Sequence, residues 1–191
     1  MALILASASA IRREMLAQAG VGHETVAAGI DEAALKGADP KQAAVALAEA
    51  KALAVSARRP FDWVIGSDSI VSVGGHSFDK PRSREEAAEH LRRFSGKPMR
   101  LTSAVALARD GAVDWSHCDT ARLSVRPLSE AFIAGYLDAE WPDVGHCVGV
   151  FRMEGRGVQL FDEVYGSHFT ILGMPLLPLL GALRERGLAP S

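Results

Sequence analysis

The sequence predicts an α/β protein built on a mixed β-sheet with flanking helices. Short apolar runs that are typical of strands are interspersed with segments of helical periodicity. Three helix starts carry good capping residues, and one Asp-Gly pair joins two long strand-like segments. Because strands and helices follow each other without strict alternation, the pattern favours a mixed sheet over a regular doubly wound one.

Each predicted element in the first half of the chain has a local signal. Apolar runs mark the strands, apolar residues at helical spacing mark the first helix, and Asp39-Pro40 with Gln42 is a typical start for the second. Gly74-Gly75 supplies a turn after the last of these runs. The predicted elements are strand 3–6, a helix opened by Ser7–Ser9 and running to about Ala19, strand 24–28, a helix from Asp39 to about Ala57, strand 63–66 ending in Ser67-Asp68-Ser69, and strand 70–73.

The second half is predicted from two caps and one hairpin turn. Ser83 with Glu86 forms a capping box, Ser129 caps a later helix, and Asp110-Gly111 is a favoured pair for a tight turn between strands. The predicted elements are helix 83–94, hairpin strands 101–108 and 112–125, helix 129–138, strand 158–164 and helix 175–186.

Composition places the chain among ordinary globular proteins, and we expect one domain over residues 1–191. The 191 residues are 48% hydrophobic and 23% charged, which excludes a largely disordered chain. Lys plus Arg number 21 and Asp plus Glu 23, so a net charge of −2 argues against binding to nucleic acid or to an anionic membrane. No run approaches the roughly 18 apolar residues of a membrane span. Cys118 and Cys147 fit no metal spacing, which favours a reducing, cytoplasmic setting.

A first candidate site lies where the first strand meets the first helix. Ser7-Ala8-Ser9 is a turn of small residues, and a helix N-terminus presents unpaired N–H groups that attract anions. Arg12 and Arg13 lie within about one turn and can form bidentate bonds to phosphate. The alternative is an ordinary serine cap followed by two solvated arginines.

A second candidate site centres on Asp68, a carboxylate within the apolar segment Val64–Ile70. An acid at the end of a core strand can hold a metal ion or activate water. Lys80 follows twelve residues later and is held extended by Pro81. The alternative is a turn aspartate and a surface lysine. Taken alone, Lys51 on its alanine-rich helix and Glu32 fit ordinary surface positions.

In this order, these segments resemble the Maf family of nucleoside triphosphate pyrophosphatases, once described as septum-formation inhibitors. Each segment is a weak signal, but their ordered conjunction is specific and covers nearly the whole chain. The matching segments are Leu-Ala-Ser-Ala-Ser-x-x-Arg-Arg at 5–13, Ile-Asp-Glu at 30–32, Ala-x-x-Lys-Ala ending at Ala52, Gly-Ser-Asp-Ser at 66–69, Lys-Pro at 80–81, Ser-Gly at 95–96, and Gly-Ser-x-x-x-x-x-Gly-Met-Pro-Leu at 166–176.

The resemblance implies an elongated α/β fold with two lobes around a central cleft, often paired as a homodimer. It implies a house-cleaning hydrolase that cuts a nucleotide between its α and β phosphates, using Mg²⁺ or alternatively Mn²⁺. Asp68 matches the proton acceptor, and Glu32 with Asp68 would hold the metal. The positions that match the phosphate cleft are Ser7, Arg12, Arg13, Lys51 and Lys80.

The late segment resembles the branch of the family that acts on 7-methyl-GTP. Its pattern is Cys-x-Gly-x-Phe-x-x-Glu-Gly at 147–155. A carboxylate at Glu154 can accept from the two adjacent donors of guanine, and Phe151 or Trp141 could stack on the cationic methylated base.

Two further specificity positions, Ile11 and Ser69, match neither the 7-methyl-GTP branch nor the pyrimidine branch. Two alternatives therefore stay open. The chain could be a pyrophosphatase of the pyrimidine nucleotides dTTP and UTP. It could also be a nucleotide-binding regulator of cell division and septum formation without significant turnover.

Overall fold

The structure is a computed structural model that describes residues 1–35, 37 and 39–190. The strands β1 to β7 are Leu3–Leu5, Glu24–Thr25, Trp63–Val73, His76–Phe78, Pro98–Arg109, Ala112–Val125 and Phe161–Tyr165. The helices α1 to α6 are Ala10–Gln18, Pro40–Ser56, Arg84–Phe94, Glu130–Glu140, His168–Ile171 and Leu176–Glu185. Short 3-10 turns cover Ala33–Leu35, Asp143–His146 and Arg156–Leu160.

The strands form the predicted mixed β-sheet. Their order is β2-β1-β3-β5-β6-β7, with β4 paired to β3. β1 pairs in parallel with β2 and with β3. β3 pairs antiparallel with β4, and β6 pairs antiparallel with β7. Both pairing modes therefore occur, which confirms an α/β protein with a mixed sheet.

The chain divides into two compact units. Unit 1 comprises 1–69, 102–119 and 167–191, and unit 2 comprises 70–101 and 120–166. The predicted single domain, elongated outline and central cleft stay predictions.

In unit 1, the alternation of side chains along β3 assigns two faces to the sheet. Trp63 and Ile65 belong to one buried apolar cluster with residues of α1 and α6, among them Leu16 and Leu179. Gly66, on the opposite face, lies against the α2 backbone. Burial on both faces explains why the first part of β3 is a continuous apolar run.

The largest difference from the predicted elements concerns Asp68. The polar triplet Ser67-Asp68-Ser69 was expected to end a strand, but β3 runs unbroken from Trp63 to Val73. The two ends of β3 pair with different strands, since 63–65 pair with β1 and 71–73 with β4. Tertiary pairing therefore carries the extended backbone through the triplet, and Asp68 lies in mid-strand.

Two further segments were mispredicted. The predicted strand 158–164 begins later, because Arg156–Leu160 forms a 3-10 turn and β7 starts at Phe161. The predicted strand 24–28 shortens to the two exposed residues of β2, which lies at the end of the strand order beside β1. Neither segment has the continuous burial that extends the central strands, so the local pattern was a weaker guide there.

The predicted caps at Asp39, Ser83 and Ser129 and the predicted turn are confirmed. The capping box at Ser83 is only half formed, because the Glu86 carboxylate accepts from the Arg82 N–H group. The side chains of Ser83 and Ser129 accept from the backbone N–H groups of Glu86 and Phe132. Asp110 and Gly111 both have positive φ, 52° and 72°, as a tight turn between antiparallel strands requires. None of the helices within residues 1–35, 37 and 39–190 combines the length and apolar character of a bilayer crossing.

Unit 2 contains a buried histidine in an aromatic cluster. The ring of His90 lies 5.2 Å from that of Phe78 and 5.9 Å from that of Phe94. Burial lowers the pKa of His90 below its usual value near 6.5, opposed mainly by the negative charge of Glu86. The neutral imidazole is therefore the form that the folded unit prefers.

We expect Gly66→Ala to destabilise the protein by about 1–3 kcal/mol or more, because overpacking would displace α2. A β-carbon at Gly66 would lie 2.1 Å from the Ala48 carbonyl oxygen and 2.6 Å from the Ala52 nitrogen. The measurement is the midpoint of urea unfolding. The control is Gly181→Ala in α6, where a β-carbon meets no described atom within 4 Å. That variant should gain about 0.5–1 kcal/mol; equal stability of the two variants would contradict the packing account.

We expect His90 to make the protein less stable as the pH falls. A group whose pKa is lowered on folding takes up a proton more readily when unfolded, so its stabilising effect is lost below about pH 6.5. Urea midpoints measured between about pH 7.5 and pH 5.5 should fall less for His90→Leu than for the wild type. His76→Gln, at an exposed histidine of β4, is the control. The nearby Glu86, Asp79, Glu89 and Arg93 are unchanged in both variants, so an equal slope in His90→Leu would refute the assignment.

Candidate active site

Three predicted site residues of unit 1 lie together, because the ammonium group of Lys51 contacts the carboxylates of Asp68 and Glu32. Lys51 Nζ on α2 lies 2.5 Å from Asp68 Oδ1 and 2.8 Å from Glu32 Oε1. The side chains of Lys51 and Asp68 are buried, whereas that of Glu32 is 47% exposed. The trio therefore extends from the middle of β3 to the protein surface.

The trio forms because two elements approach each other closely. Gly66 allows the backbone of α2 to lie directly on β3. Lys51 on α2 bonds Asp68, which follows Gly66 by two residues on the strand. Since Gly66 and Asp68 are two residues apart, both point to the α2 face of the sheet. A buried carboxylate and a buried ammonium group each offset the desolvation of the other.

Arg12 is buried on the opposite face of β3 and donates to three protein acceptors. Its Nη1 donates to the Ser67 carbonyl oxygen at 2.8 Å, its Nη2 to Ser69 Oγ at 3.0 Å, and its Nε to the Gly173 carbonyl oxygen at 2.9 Å. Burial lowers the pKa of Arg12, opposed by the negative charges of Asp68 and then Glu32. The phosphate-binding role of Arg12 stays a prediction, and in this structure its guanidinium bonds three oxygens of the protein.

The predicted anion site at the start of α1 has the expected backbone arrangement. Ser9 occupies the N-cap position with extended backbone, and within the described chain its side chain forms no capping bond. The hydroxyl of the buried Ser7 accepts from the Ser9 N–H group at 3.2 Å. The first turn of α1 contains no acidic residue, and its N–H groups keep their partial positive charge. Arg13 is exposed on this turn, and Ile11 is half-buried.

A set of small polar residues behind β3 was missed by the sequence analysis. Ser69 Oγ donates to the Gly173 carbonyl oxygen at 2.9 Å and lies 2.9 Å from Ser103 Oγ. Ser103 donates in turn to the Thr170 carbonyl oxygen at 2.8 Å, and Thr170 Oγ1 donates to Asp119 Oδ2 at 2.7 Å. The available signal was a pair of polar residues, Thr102-Ser103, inside an otherwise apolar strand.

The remaining predicted residues, Lys80 and Glu154, belong to unit 2, where both are exposed. Burial raises the pKa of the Cys147 thiol, followed by the negative charge of Glu154, while Lys80 lowers it. Lys80 and Glu154 therefore both act electrostatically on Cys147. A raised pKa leaves the thiol protonated, which fits packing better than nucleophilic chemistry.

Phe151, one of the two rings predicted to stack on a base, is buried in the core of unit 2, so the stacking stays a prediction that this arrangement does not favour. Phe151 is buried, its ring meets that of Phe161 edge-on at 4.8 Å, and a β-carbon at Gly149 would collide with it. Its neighbour Val150 has φ of +55°, an uncommon value for a β-branched residue, and the Tyr136 hydroxyl donates to the Val150 carbonyl oxygen at 3.0 Å. This backbone turns the Phe151 side chain into the core of unit 2.

The donor set of the trio fits a hard divalent cation. Oxygens of Asp68 and Glu32 each lie within 3 Å of one nitrogen, so both can reach a common cation. Within residues 1–35, 37 and 39–190, no group of three or more His, Cys, Asp or Glu side chains is arranged to hold a metal. Two carboxylates with substrate phosphates and water are a usual set for Mg²⁺.

Known proteins resemble this chain over nearly its full length. A nucleoside triphosphate pyrophosphatase of Sphingopyxis alaskensis is 49% identical over 198 aligned residues, covering 100% of each chain. A 7-methyl-GTP pyrophosphatase of Rhizobium etli is 49% identical, covering 97% of this chain and 96% of its own. A solved structure, a dITP/XTP pyrophosphatase from Mycobacterium abscessus, has a TM-score of 0.42 at 18% identity over 65% of this chain and 73% of its own, too weak a likeness to support an argument.

The sequence model of the family described as Maf-like protein matches residues 2–186. That match leaves only the extreme ends of the chain outside the family pattern. Together with relatives at 49% identity over the full length, it shows that this chain belongs to the Maf family.

Proposed function

We propose that this protein hydrolyses a nucleoside triphosphate between the α and β phosphates, releasing the nucleoside monophosphate and pyrophosphate. The observation that carries the proposal is the buried Asp68 carboxylate, bonded to Lys51 and lying near the positive charge of Arg12. Both full-length relatives described above are named as pyrophosphatases of nucleotides. The reaction class is hydrolysis of an acid anhydride.

The positive groups of the site match the charge of the substrate. A free triphosphate carries about four negative charges, and a chain with net charge −2 must gather cations locally to bind it. In this proposal Lys51 and Arg13 bind the phosphates, together with Ser7 and the N–H groups at the start of α1. The phosphate-binding role of Lys80 in unit 2 stays a prediction that the family resemblance implies. Arg12 adds buried positive charge behind Asp68.

Asp68 acts as the proton acceptor for the attacking water. Its Oδ1 is held by Lys51, so the carboxylate is oriented before the substrate binds. The water oxygen attacks the α-phosphorus, the proton moves to Asp68, and the bond to the bridging oxygen breaks so that pyrophosphate leaves with its electron pair. A divalent cation held by Asp68 and Glu32, Mg²⁺ or alternatively Mn²⁺, would supply Lewis-acid polarisation of the phosphate oxygens.

We further propose 7-methyl-GTP as the preferred substrate. Glu154 is an exposed carboxylate in unit 2, and a carboxylate accepts from the adjacent N1–H and N2–H donors of guanine. A negative charge near the base also favours the cationic methylated ring. The 7-methyl-GTP pyrophosphatase of Rhizobium etli supports this preference. With Phe151 buried, the proposal rests on hydrogen bonding and charge at Glu154. The homodimer implied by the family resemblance and the cytoplasmic location favoured by the two cysteines stay proposals.

We expect Asp68→Asn to fold and bind nucleotide but to lose turnover by about two or more orders of magnitude, because an amide cannot accept the proton. Release of pyrophosphate and of orthophosphate from nucleotide with Mg²⁺ measures this effect. Asp162→Asn, at an exposed aspartate of β7, serves as the matched control. Wild-type rates in Asp68→Asn would remove Asp68 from the mechanism. Orthophosphate as the first product, or binding by the wild type without turnover, would overturn the proposed reaction.

We expect the wild type to prefer 7-methyl-GTP in a nucleotide panel that includes GTP, dTTP and UTP. Glu154→Gln should shift this preference away from guanine nucleotides, since an amide suits the donor and acceptor pattern of uracil and thymine better. The expected size is about 1–3 kcal/mol of discrimination, measured as a ratio of kcat/KM values. Glu163→Gln, on an exposed glutamate of the same unit, is the control. An unchanged substrate profile in Glu154→Gln would defeat this assignment, and a wild-type preference for dTTP or UTP would favour the pyrimidine alternative.

A further inference from the structure

Arg12 holds β3 at the two residues that flank Asp68. Its Nη1 bonds the Ser67 carbonyl oxygen at 2.8 Å and its Nη2 bonds the Ser69 hydroxyl at 3.0 Å, one residue before and one residue after the carboxylate. The planar guanidinium presents these donors in a rigid fork. The distance between the two flanking acceptors is therefore fixed by the shape of one side chain.

The alternation of the strand explains how this contact reaches Asp68. Ser67 and Ser69 point to one face of β3, and Asp68 points to the other face, toward Lys51. Arg12 consequently bonds the strand from the side opposite to the carboxylate. Holding both neighbours restrains the backbone dihedrals of Asp68 and so the direction of its side chain.

A shared acceptor completes this arrangement, which we call the Arg12 clamp (Arg12, Ser67, Ser69 and Gly173). The Gly173 carbonyl oxygen accepts from Arg12 Nε and from Ser69 Oγ, both at 2.9 Å. The Ser67 hydroxyl lies 3.1 Å from the same oxygen and closer, at 2.8 Å, to the Ala104 carbonyl oxygen. Gly173 has φ of +104°, and a β-carbon there would lie 3.1 Å from Ser69 Oγ and 3.5 Å from Arg12 Nη2. Glycine is therefore required where the loop before α6 meets the guanidinium.

Three of the five N–H donors of Arg12, one on each nitrogen, are bonded to the protein. The residue is 9% exposed. In the described part of the chain its guanidinium pairs with no carboxylate within salt-bridge distance, and the three partners of its hydrogen bonds are neutral oxygens. A phosphate contact through these same donors would break buried hydrogen bonds, each of which is costly to leave unmade.

We propose that Arg12 is a positioning residue that aligns Asp68 through its two chain neighbours and does not contact the nucleotide. The inference rests on the proposed function, because it takes Asp68 as the proton acceptor. The clamp also assigns Ser69 to the same task, since its hydroxyl accepts from Arg12 and donates to the Gly173 carbonyl oxygen.

The test combines kinetics, nucleotide affinity and hydrogen exchange for Arg12→Lys and Ser69→Ala. Lysine keeps the charge but cannot serve three acceptors in a fork. We expect Arg12→Lys to lower kcat by about tenfold or more, while the dissociation constant for α,β-methylene-GTP changes by less than about threefold. Ser69→Ala should act in the same direction but less. The losses in the double variant should fall short of the product of the single losses, because the two residues form one unit.

Hydrogen exchange gives a readout that does not depend on turnover. Exchange of the backbone amides around Ser67–Ser69 should accelerate in Arg12→Lys, with α2 and unit 2 unchanged. The matched control is Arg58→Lys, an exposed arginine of unit 1 that also donates to three backbone carbonyl oxygens. Kinetics, affinity and exchange at β3 should all be unchanged in that control.

Two results would overturn the proposal. Weaker binding of α,β-methylene-GTP with kcat retained in Arg12→Lys would make Arg12 a direct phosphate ligand. Unchanged amide exchange around Ser67–Ser69 would show that the clamp does not restrain the strand. If the wild type releases no pyrophosphate, the proposed function fails separately. Two measurements still test the proposal in that case, with Arg12→Lys and Ser69→Ala as the variants. Amide exchange shows whether Arg12 restrains β3, and affinity shows whether it binds nucleotide.

Discussion

The structure of unit 1 depends on placing charged groups on both faces of one buried strand. Strand β3 carries Asp68 toward α2 and presents Ser67 and Ser69 toward α1, so a lysine serves one face and an arginine the other. Buried charge is expensive unless each group has partners. The close approach of α2 at Gly66 and of the loop at Gly173 provides those partners. The close packing at Gly66 and Gly173 is therefore also what gives the buried charges their partners.

The constraint also explains why the polar centre lies in the middle of β3. A strand end would expose the carboxylate and its neighbours to water, which would screen their interactions. The middle of the strand is covered by helices on both faces. The polar groups there are ordered by hydrogen bonds from Arg12 and Ser69 to the Gly173 carbonyl oxygen and from Ser103 to the Thr170 carbonyl oxygen. The exposed side chain of Glu32 brings this arrangement to the surface. Rigid support behind the carboxylate and an exposed acid in front of it are what a preoriented proton acceptor needs.

The sequence predicts the elements of the fold well and the site in part. Caps at Ser83 and Ser129 and the Asp110-Gly111 turn have local causes, so they were predictable. The continuity of β3 and the 3-10 turn before β7 depend on tertiary pairing, and local pattern could not show them.

Asp68, Lys51 and Glu32 were identified by resemblance to a family, because residues 32, 51 and 68 come together only after folding. Arg12 was identified as a site residue, but whether its donors face a ligand or the strand depends on the course of the loop at Gly173. The burial of Phe151 was not predictable, because it depends on the conformation of Val150.

The charges around β3 form a set with no net excess. Two acids, Asp68 and Glu32, lie with two bases, Lys51 and Arg12, within range of one another's fields. In proteins whose ligands gather several like charges, the bound ion supplies part of the folding free energy and its removal unfolds the site. Here the ammonium group already stands between the carboxylates. Chelating agents should therefore leave the native fold of unit 1 intact, and the site is assembled in the resting protein before any ion or nucleotide arrives.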